Sequence, residues 1–399
     1  MQKGKSPPRG QAENGRVSYA IGRVPSGKVR ILPGMQAYAD YLIIGHGLAG
    51  ATLARTLRQR GRRVVVLDAP QPDSATRVAA GLINPVAGKR FALAWRINDL
   101  LPAARQFYQQ LEAESGRRLY FEMPILKLFS SVREQNDVLA RSAGHPWGDY
   151  VADPAQPLPA IPGLEQPFGG LELRHGGWVD TELLLDVLAA DAQKNGELRA
   201  ETFVPELLVA EASGARYGPG LRVGRVVFCE GAAVTANPWF SWLPVTPNQG
   251  EVLDVEAPDL PTDYVLNRGA YVVPLGQGRV RVGATYRWPP FSPEPTAEAR
   301  EELSQRLREL TTVPFRITGQ RAGVRPAVRD RKPLLGTHPA HPALAVFNGL
   351  GSKGVLLAPR LAELLAEALE TGAELWPEVN IIRYQALYPV TLPPAATPA

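Results

Sequence analysis

The chain of 399 residues has a single cysteine, Cys229, and no long apolar run. One cysteine excludes an intrachain disulfide and a zinc cluster built on cysteines, and it fits a reducing compartment. The best uncharged stretch, residues 41–54, has 14 residues and contains three glycines, whereas a membrane helix needs about 20 apolar residues. The sequence therefore predicts a cytoplasmic protein without a membrane segment, and it predicts no metal site.

Positive charge is concentrated at the N-terminal end. The formal charge is +5, but residues 1–34 hold seven basic residues and one acid, and the rest hold 37 basic and 38 acidic residues. A body without net positive charge offers no clear nucleic-acid surface. We expect residues 1–37 to form a disordered basic tail, with Met35 as an alternative start of translation, and residues 387–399 to form a flexible tail.

The first organised segment combines an apolar strand, a glycine turn and a helix. Residues 41–44 lead into Gly45-His46-Gly47-Leu48-Ala49-Gly50, helical spacing follows over 51–59, and a second apolar run, 64–67, ends at Asp68. The first glycine of such a turn permits a tight bend, the second lets a pyrophosphate approach, and the third lets helix and strand pack closely. An acid about 20 residues further on binds a ribose. This order predicts a dinucleotide site; the alternative is a tight turn between packed elements.

A second glycine loop lies far downstream. The apolar run 344–347 enters Gly349-Leu350-Gly351-Ser352-Lys353-Gly354, and a long helical pattern follows over 355–369. The loop matches the same glycine spacing without a following strand and acid, which shows that the bare motif is weak. Between the two loops, small residues around Ala80 and Gly81 would let a flat ring system lie against the backbone. The first motif alone leaves the choice between NAD and FAD open.

Taken in order, these segments resemble the D-amino-acid-oxidase-like superfamily of FAD-dependent oxidoreductases, the group of glycine oxidase and sarcosine oxidase. The resemblance covers roughly residues 40–385 and includes Tyr-Val-Val-Pro at 271–274 and Gly-Val-Arg-Pro at 323–326. Residues 348–354 look most like the flavin domain of the bifunctional enzymes that modify the tRNA wobble uridine. The resemblance implies FAD as cofactor and an α/β fold, α+β overall. In that fold, a Rossmann-like FAD-binding domain carries an inserted substrate domain with an antiparallel or mixed sheet.

The same resemblance implies a discontinuous domain organisation. The FAD-binding domain would comprise residues 38–118, 174–240 and 318–386. Two insertions, residues 119–173 and 241–317, would form the substrate domain and cover the flavin ring.

By this resemblance, the first glycine turn would bind the FAD pyrophosphate, Asp68 the adenosine ribose, and Val204 the adenine through its backbone. Two further segments would flank the flavin ring. The residues assigned to the cofactor are Gly45, Gly47, Leu48, Ala49, Gly50, Asp68, Arg77, Val78, Ala80, Gly81, Leu82, Val204, Glu230, Gly231, Gly349, Leu350, Gly351, Ser352, Lys353 and Gly354. Glu230 departs from the small or hydroxyl residue of the family, and a pyrophosphate would repel a buried carboxylate there. Binding of a ribose hydroxyl or a backbone amide is the alternative for Glu230.

The resemblance assigns three residues to catalysis. Arg325 would grip a substrate carboxylate, which suits a planar and permanently charged donor, and Tyr271 would hydrogen-bond the same carboxylate. Lys353 would place a positive charge beside the flavin ring. Each has a plain alternative: Arg325 pairs with Asp330 or another acid, Tyr271 is a packing residue, and Lys353 is a surface lysine. We predict no general base, because an oriented neutral amine can lose hydride directly to a flavin.

Three functions remain open from the sequence. The leading one is an FAD-dependent oxidoreductase that oxidises the C–N bond of an amino acid or secondary amine, with oxygen as one candidate electron acceptor. The second is a flavoenzyme acting on a carboxymethylaminomethyl side arm of the tRNA wobble uridine, for which we would expect a basic track to the flavin. The third is a non-catalytic protein in which flavin is structural or lost.

Overall fold

The computed structural model describes residues 37–69, 71–88, 91–142 and 147–389. The predicted basic tail, residues 1–37, lies outside the described residues except for Ala37, which begins the first strand. Of the predicted C-terminal tail, residues 390–399 lie outside them, and Leu387 ends a short 3-10 helix.

Seven helices form in the described part of the chain, and two of them follow the glycine turns. The helices are α1 (Leu48–Gln59), α2 (Ala75–Val78), α3 (Ile97–Ser115), α4 (Val132–Ser142), α5 (Thr181–Lys194), α6 (Ala297–Leu310) and α7 (Gly354–Thr371). The Asp180 side chain caps α5 by accepting from the amide of Leu183. At the other end of α7, Gly372 has a φ of +77°, a conformation in which glycine commonly ends helices.

The same ranges contain twenty strands, most of which belong to two large sheets. In chain order they are β1 (Ala37–Ile44), β2 (Val64–Asp68), β3 (Leu82–Ile83), β4 (Val86–Ala87), β5 (Ala92–Leu93), β6 (Tyr120–Glu122), β7 (Ile125–Leu128), β8 (Gly170–Leu173), β9 (Gly177–Val179), β10 (Leu198–Ala200), β11 (Leu208–Glu211), β12 (Gly214–Tyr217), β13 (Leu221–Phe228), β14 (Val245–Glu256), β15 (Val265–Arg268), β16 (Ala270–Gly276), β17 (Arg279–Gly283), β18 (Arg316–Val328), β19 (Leu334–Thr337) and β20 (Leu344–Asn348).

The larger sheet has a parallel centre. Its order is β10-β2-β1-β13-β12-β11, with β20 beside β13 and β19 beside β20. Leu42 and Ile43 of β1 point to opposite faces and are both fully buried, as expected for a parallel strand covered on both sides. Helices α1, α3, α5 and α7 cover one face, and an aromatic-rich cluster around Phe228 and Phe240 covers the other. Helices on a parallel sheet confirm the predicted α/β, Rossmann-like architecture.

The second sheet is mixed, in the order β18-β14-β17-β16-β15-β7-β8. Its neighbours are antiparallel except for β15 and β7, which run parallel. Leucines 303, 307 and 310 of α6 pack on one face, together with Leu253 and Val272. The opposite face carries the alternate residues of the same strands. This architecture confirms the predicted antiparallel or mixed second sheet.

The predicted domain boundaries stay a prediction, but one strand bears on them. Strands β14 to β17 come from the predicted insertion 241–317, and β7 and β8 come from the insertion 119–173. Strand β18 begins before the predicted boundary at residue 318 and pairs with β14 from end to end. The second sheet therefore extends to Val328, into the segment that the sequence assigned to the FAD-binding domain.

Four parallel strands end together at one edge of the larger sheet. Ile44 of β1 is the register partner of Leu67 in β2 and of Phe228 in β13, and Phe228 is the partner of Val346 in β20. The loops that follow these strands therefore emerge side by side. In open parallel sheets, ligands bind in the crevice at such carboxyl ends.

Candidate functional site

The first glycine turn joins β1 to α1. Gly45 has a φ of +97°, which residues with a Cβ rarely adopt, and its amide donates to the carbonyl of Leu67 (2.8 Å). A Cβ on Gly50 would overlap the carbonyl oxygen of Gly45, so a glycine is needed where α1 packs on the turn. At Gly47, the nearest atom to a Cβ would be Oγ1 of Thr76 at 3.8 Å. The backbone of Gly47 is therefore open to a ligand.

The start of α1 presents backbone donors and lies beside a carboxylate. The amides of a first helical turn have no acceptor within the helix, and here the amide of Leu48 donates to Oγ1 of Thr76 (3.2 Å). Asp68 ends β2, and its Oδ1 accepts from the amide of His46 (2.9 Å). Oδ2 of Asp68 has no donor among the residues that the structure describes. This oxygen is free to accept a hydrogen bond from a ligand.

The second glycine turn meets the first one in space. It joins β20 to α7, with φ values of +74° at Gly349 and +55° at Gly351. A Cβ on Gly354, the first residue of α7, would lie 2.7 Å from Cδ2 of Leu48, the first residue of α1. The N-termini of the two helices are therefore neighbours, and the positive ends of their dipoles act on the same region.

A third turn, after β13, brings a buried carboxylate to the first glycine turn. The carbonyl oxygen of Cys229 lies 2.7 Å from the Cβ position of Gly45. The next residue, Glu230, accepts from Nδ2 of Asn237 (2.7 Å). Burial raises the pKa of Glu230 to about 7, and the Asn237 hydrogen bond opposes that shift only in part. A substantial fraction of this carboxyl group is therefore protonated at neutral pH. Gly231 follows with a φ of +58°.

The segment predicted to flank a flat ring, residues 77–82, is held between α5 and the second sheet. Gly81 has a φ of +64°, and a Cβ there would overlap the carbonyl oxygen of Val179. The carbonyl of Ala79 accepts from Oγ1 of Thr181 (2.9 Å) and from Nη1 of Arg281 (3.3 Å). Both anchors approach the carbonyl oxygen of Ala79, and the carbonyl of Gly81 accepts from the amide of Val179 (2.9 Å). The amides of Ala80 and Gly81 have no acceptor among the described residues.

Side chains of this segment point in different directions. Arg77 pairs with Asp186 of α5 (2.7 Å), so its charge is engaged on the outside of the protein. Ala80 is buried, and Leu82 pairs across β3 and β9 with Trp178. The structure therefore leaves the amides of Ala80 and Gly81, rather than the Arg77 guanidinium, for contact with a ring.

The backbone amide and carbonyl of Val204 are both hydrogen-bonded within the protein. Its amide donates to the hydroxyl of Tyr217 (3.0 Å), and its carbonyl accepts from the amide of Leu207 (3.1 Å). Only the second lone pair of the carbonyl is left for an adenine amino group. The side chain is 39% exposed, which leaves an apolar surface beside it.

Arg325 lies on the face of the second sheet opposite α6. Its Nη1 donates to Oδ1 of Asn248 (3.1 Å) and to the carbonyl of Thr285 (3.4 Å). The guanidinium group covers Gly250, where a Cβ would overlap it, and Cζ lies 4.9 Å from the ring centre of Tyr286. Glycine at position 250 thus makes room for the arginine to lie flat across β14.

The positive charge of Arg325 has no acidic partner within 4.0 Å in the described ranges. The alternative partner considered from the sequence, Asp330, pairs instead with Arg383 (3.1 Å). Nη2 and Nε of Arg325 also have no acceptor there. The guanidinium group can therefore receive a carboxylate from outside the protein.

Tyr271 of β16 lies beside Arg325 on the same face. Its ring crosses Gly283 of β17, where a Cβ would be 2.6 Å from the hydroxyl oxygen, and the hydroxyl has no hydrogen-bond partner in the described part of the chain. Burial raises the pKa of Tyr271 to about 12, although the charge of Arg325 opposes the shift. Tyr271 packs with Val78, and a Cβ on Gly323 of β18 would lie 3.1 Å from Cβ of Val78. Arg325 and Tyr271 therefore share a sheet face with the residues that adjoin segment 77–82.

Lys353 precedes α7 in the second glycine turn. Its side chain is half-buried rather than fully exposed. Burial lowers the pKa of Lys353, and the nearby charges of Lys332 and Arg331 lower it further. No carboxylate among the described residues lies within ion-pair distance of it. These positive charges at the helix N-terminus favour an anionic ligand.

The residues at this edge fit FAD in most respects. The open backbone of Gly47, the free Oδ2 of Asp68 and two adjoining helix N-termini suit a pyrophosphate and a ribose. The backbone near Gly81 and the N-terminus of α7 suit a flat ring that gains negative charge. Glu230 suits the pyrophosphate only in its protonated form.

The described residues offer neither a metal site nor a membrane-spanning helix. No group of three or more His, Cys, Asp or Glu residues in the described ranges could hold a metal ion. None of the helices in those ranges has the length and apolarity needed to cross a membrane. Nδ1 of His338 accepts from the amides of Ala340 and His341 (3.1 Å each), which gives this nitrogen a structural role.

Sequence reasoning missed two polar residues that hold the turns. Asn348 accepts from the amide of Gly349 (2.7 Å) and donates to the carbonyl of Gly231 (2.9 Å), so it ties the second turn to the third. A polar residue at the end of a buried strand needs partners, and that signal could have revealed it. Thr76, which caps α1, gives no such signal because it lies 28 residues from Leu48.

The chain matches known proteins over most of its length. The family model DAO, described as FAD dependent oxidoreductase, matches residues 40–368. The chain is 30% identical over 347 residues to the bifunctional protein ThiO/ThiG of Trichormus variabilis, which covers 82% of this chain and 52% of that protein. It is 29% identical over 360 residues to the tRNA 5-methylaminomethyl-2-thiouridine biosynthesis bifunctional protein MnmC of Marinobacter nauticus, which covers 82% and 55%. The chain therefore spans about half the length of these curated relatives.

A solved structure agrees with this match. The crystal structure of glycine oxidase from Geobacillus kaustophilus superposes with a TM-score of 0.74 at 25% identity, over 87% of this chain and 98% of that one. The family match includes both glycine turns and most of the strand and the helix that flank each of them. The predicted family, and with it the class of cofactor, is confirmed. The chain belongs to the DAO family of FAD-dependent oxidoreductases.

Proposed function

We propose that this protein oxidises the C–N bond of an amine that carries a carboxylate. The observation that supports the proposal is the guanidinium group of Arg325, which has no acidic partner in the described part of the chain. It lies beside the free hydroxyl of Tyr271, on a sheet face that contacts segment 77–82 through Val78. FAD would supply the hydride acceptor there.

The cofactor residues are part of this proposal. Residues 45–50 would hold the pyrophosphate, and Asp68 would accept from a ribose hydroxyl with Oδ2. Segments 77–82 and 349–354 would flank the flavin ring, with Lys353 adding positive charge. Glu230 would stay protonated beside the pyrophosphate, because ionisation would place two negative groups together.

The chain's own residues would bind and orient the substrate. Arg325 keeps Nη1 on Asn248 and offers Nη2 and Nε to both oxygens of a carboxylate. Because its pKa is raised to about 12, Tyr271 stays protonated at neutral pH and donates a second hydrogen bond. Gripping the carboxylate from two sides fixes the adjacent carbon relative to the ring, and such orientation can supply much of the rate.

Anaerobic mixing tests the substrate class. FAD-loaded protein is mixed with glycine, sarcosine and iminodiacetate, and with the matching amines that lack a carboxylate, and loss of flavin absorbance is followed. We expect reduction by carboxylated amines and little reduction by the others. Arg325→Ala should raise the substrate concentration needed for half-maximal rate by at least about 100-fold, since a hydrogen bond to a charged group contributes about 1.5–3 kcal/mol and Arg325 would make two.

Arg329→Ala is the matched control, because Arg329 follows the same strand and is exposed. Its kinetics should equal those of the parent protein. Unchanged kinetics of Arg325→Ala, or an equal loss in Arg329→Ala, would remove the substrate-site assignment. Reoxidation of the reduced protein by oxygen, compared with reoxidation by a dye, then identifies the class of electron acceptor.

A second candidate is oxidation of a carboxymethylaminomethyl side arm on the tRNA wobble uridine. The 29% identity to the tRNA 5-methylaminomethyl-2-thiouridine biosynthesis protein favours it, and that side arm is itself a secondary amine with a carboxylate. Reduction of the flavin by tRNA bearing the side arm, at concentrations where free sarcosine has no effect, would favour this function. Reduction by free amino acids alone would exclude it.

A further inference from the structure

Two large aromatic side chains are exposed on the segment that follows β17. Tyr286 is 68% exposed and Trp288 is 57% exposed. Of the seven tryptophans in the sequence, Trp288 alone is among the exposed large apolar side chains. Neither ring joins a hydrophobic cluster formed by the described residues. We call these two rings the aromatic shelf.

The backbone under the aromatic shelf is fixed. Arg287, between the two rings, exchanges backbone hydrogen bonds with Gln249 of β14 (2.9 and 2.8 Å), and its carbonyl also accepts from Nδ2 of Asn248 (3.0 Å). Further along, the Gln249 side chain donates to the carbonyl of Ser292 (2.7 Å). The exposed rings therefore stand on a paired segment and not on a free loop.

The aromatic shelf is continuous with the proposed carboxylate site. Tyr286 lies 4.9 Å from Cζ of Arg325, and Asn248 bonds both Arg325 and the backbone of Arg287. Residues two apart on an extended segment point to the same side, so Trp288 stands next to Tyr286 along that side. Arg325 covers part of the Tyr286 ring, and the high exposure of the tyrosine leaves the remaining surface open.

We infer that the substrate of this site is a carboxylate-bearing amine with a planar, unsaturated substituent that stacks on Tyr286 and Trp288. The inference rests on the proposed function and names the substrate class of the same site. Tyrosine and tryptophan faces favour flat rings in offset-stacked or edge-to-face geometry. Arg325 at one end of the aromatic shelf fixes the carboxylate, so the planar group extends from it over the two rings.

The experiment compares substrate pairs that differ by one planar group. Reduction of the flavin in FAD-loaded protein is measured anaerobically. Alanine is compared with phenylalanine, each as both enantiomers, and sarcosine is compared with N-benzylglycine. In at least one pair, the aryl substrate should have the higher kcat/KM, by about two- to tenfold, the range of a single aromatic contact. Trp288→Leu and Tyr286→Leu should each lower this ratio by a similar factor. Phenylacetate and acetate carry no amine to oxidise. The ratio of their dissociation constants therefore measures the preference for the aryl group in binding, separately from catalysis.

Tyr38→Leu is the matched control. Tyr38 is also an exposed tyrosine under an arginine, with Arg63 Cζ 4.7 Å from its ring centre, but it lies near the opposite end of β1 from the glycine turn. In Tyr38→Leu, the ratio of kcat/KM between the aryl substrate and its partner without the aryl group should equal that of the parent protein. A ratio near one for every planar substrate tested, the nucleoside described below included, or a ratio that Trp288→Leu leaves unchanged, overturns the inference and keeps the proposed function. Failure of every carboxylated amine to reduce the flavin overturns both.

The planar group could belong to a free amino acid or to the pyrimidine of an RNA. The nucleoside 5-carboxymethylaminomethyluridine separates these sources, because it carries the ring and the side arm without an RNA chain. Reduction by this nucleoside that depends on Trp288, with weak reduction by the aryl amino acids, would identify the pyrimidine as the occupant of the aromatic shelf.

Discussion

Replacing Glu230 by glutamine tests the electrostatics beside the first glycine turn. Burial raises the pKa of Glu230 from its ordinary value of 4.5 to about 7. At about 1.36 kcal/mol per unit, full ionisation of this group disfavours the folded state by about 3 kcal/mol. Because the folded state holds the proton more tightly than the unfolded chain, this contribution to stability is fully present below pH 4.5. It is lost as the pH rises through about 7.

Glu230→Gln keeps an oxygen that can accept from Nδ2 of Asn237 but cannot ionise. The difference in free energy of unfolding, variant minus parent, should therefore rise by about 2–3 kcal/mol between pH 5 and pH 8.5. Urea denaturation of the full chain, followed by tryptophan fluorescence at several pH values, measures it. The affinity of the parent protein for FAD should also fall above pH 7, where an ionised Glu230 would face the pyrophosphate, and that of the variant should fall less.

Glu114→Gln is a control of opposite sign. Its carboxyl accepts from Nη2 of Arg55 (2.7 Å), and this hydrogen bond holds the pKa of Glu114 below its ordinary value. The glutamine variant should therefore be less stable than the parent at neutral pH, with the difference shrinking as the pH falls through the lowered pKa. A Glu230→Gln difference that is independent of pH, or that has the slope of Glu114→Gln, would refute the reasoning.

Four further predictions follow from the glycine turns and the substrate face. Gly50→Ala should reduce stability by about 3 kcal/mol or more, because its Cβ would overlap a backbone oxygen. Gly47→Ala should lower the free energy of unfolding by about 1 kcal/mol, yet weaken FAD binding about tenfold because its Cβ fills the open approach to the backbone. Denaturation measures the first effect and FAD titration the second. Tyr271→Phe should change stability by only about 0.5 kcal/mol and raise KM about tenfold for carboxylated amines; a large stability loss would make Tyr271 a packing residue. Lys353→Met should lower the flavin reduction potential by about 30 mV. An unchanged potential would show that the Lys353 ammonium group lies away from the flavin ring.

The local patterns of the sequence predicted the first strand, turn and second strand, because each depends on neighbours a few residues apart. The helix was expected over 51–59, but it begins at Leu48. The reason is the third glycine: Gly50 lies inside the first turn of α1, packed on the carbonyl of Gly45. A glycine that usually argues against a helix is here the residue that lets the helix start early.

Strand β18 could not be placed from its sequence. Its residues are mostly half-buried without a clean alternation, and it contains Pro326 and two glycines, at 319 and 323, which usually argue against a strand interior. Pairing with β14 overrides these weak local preferences. The predicted boundary at 318 therefore cuts through the strand that carries Arg325.

The exposure of Tyr286 and Trp288 could not be predicted from the sequence either. Aromatic residues such as Tyr286 and Trp288 are enriched in sheets and cores, so their identity alone predicts burial. Whether such rings face a core depends on what lies opposite them after folding. Here the backbone of Arg287 between them is paired with Gln249, and both rings are exposed.

The two ends of the proposed cofactor site have opposite electrostatic character, and this follows from charges far apart in the sequence. At the first turn, Asp68 and Glu230 bring carboxyl groups, and burial raises the pKa of Glu230 to about 7. At the second turn, burial lowers the pKa of Lys353, and repulsion by the nearby charges of Lys332 and Arg331 lowers it further. An anion at that end would relieve the repulsion and raise this pKa again. The folded protein is therefore arranged to gain stability when negative charge arrives at the N-terminus of α7, which is where a reduced flavin would carry it.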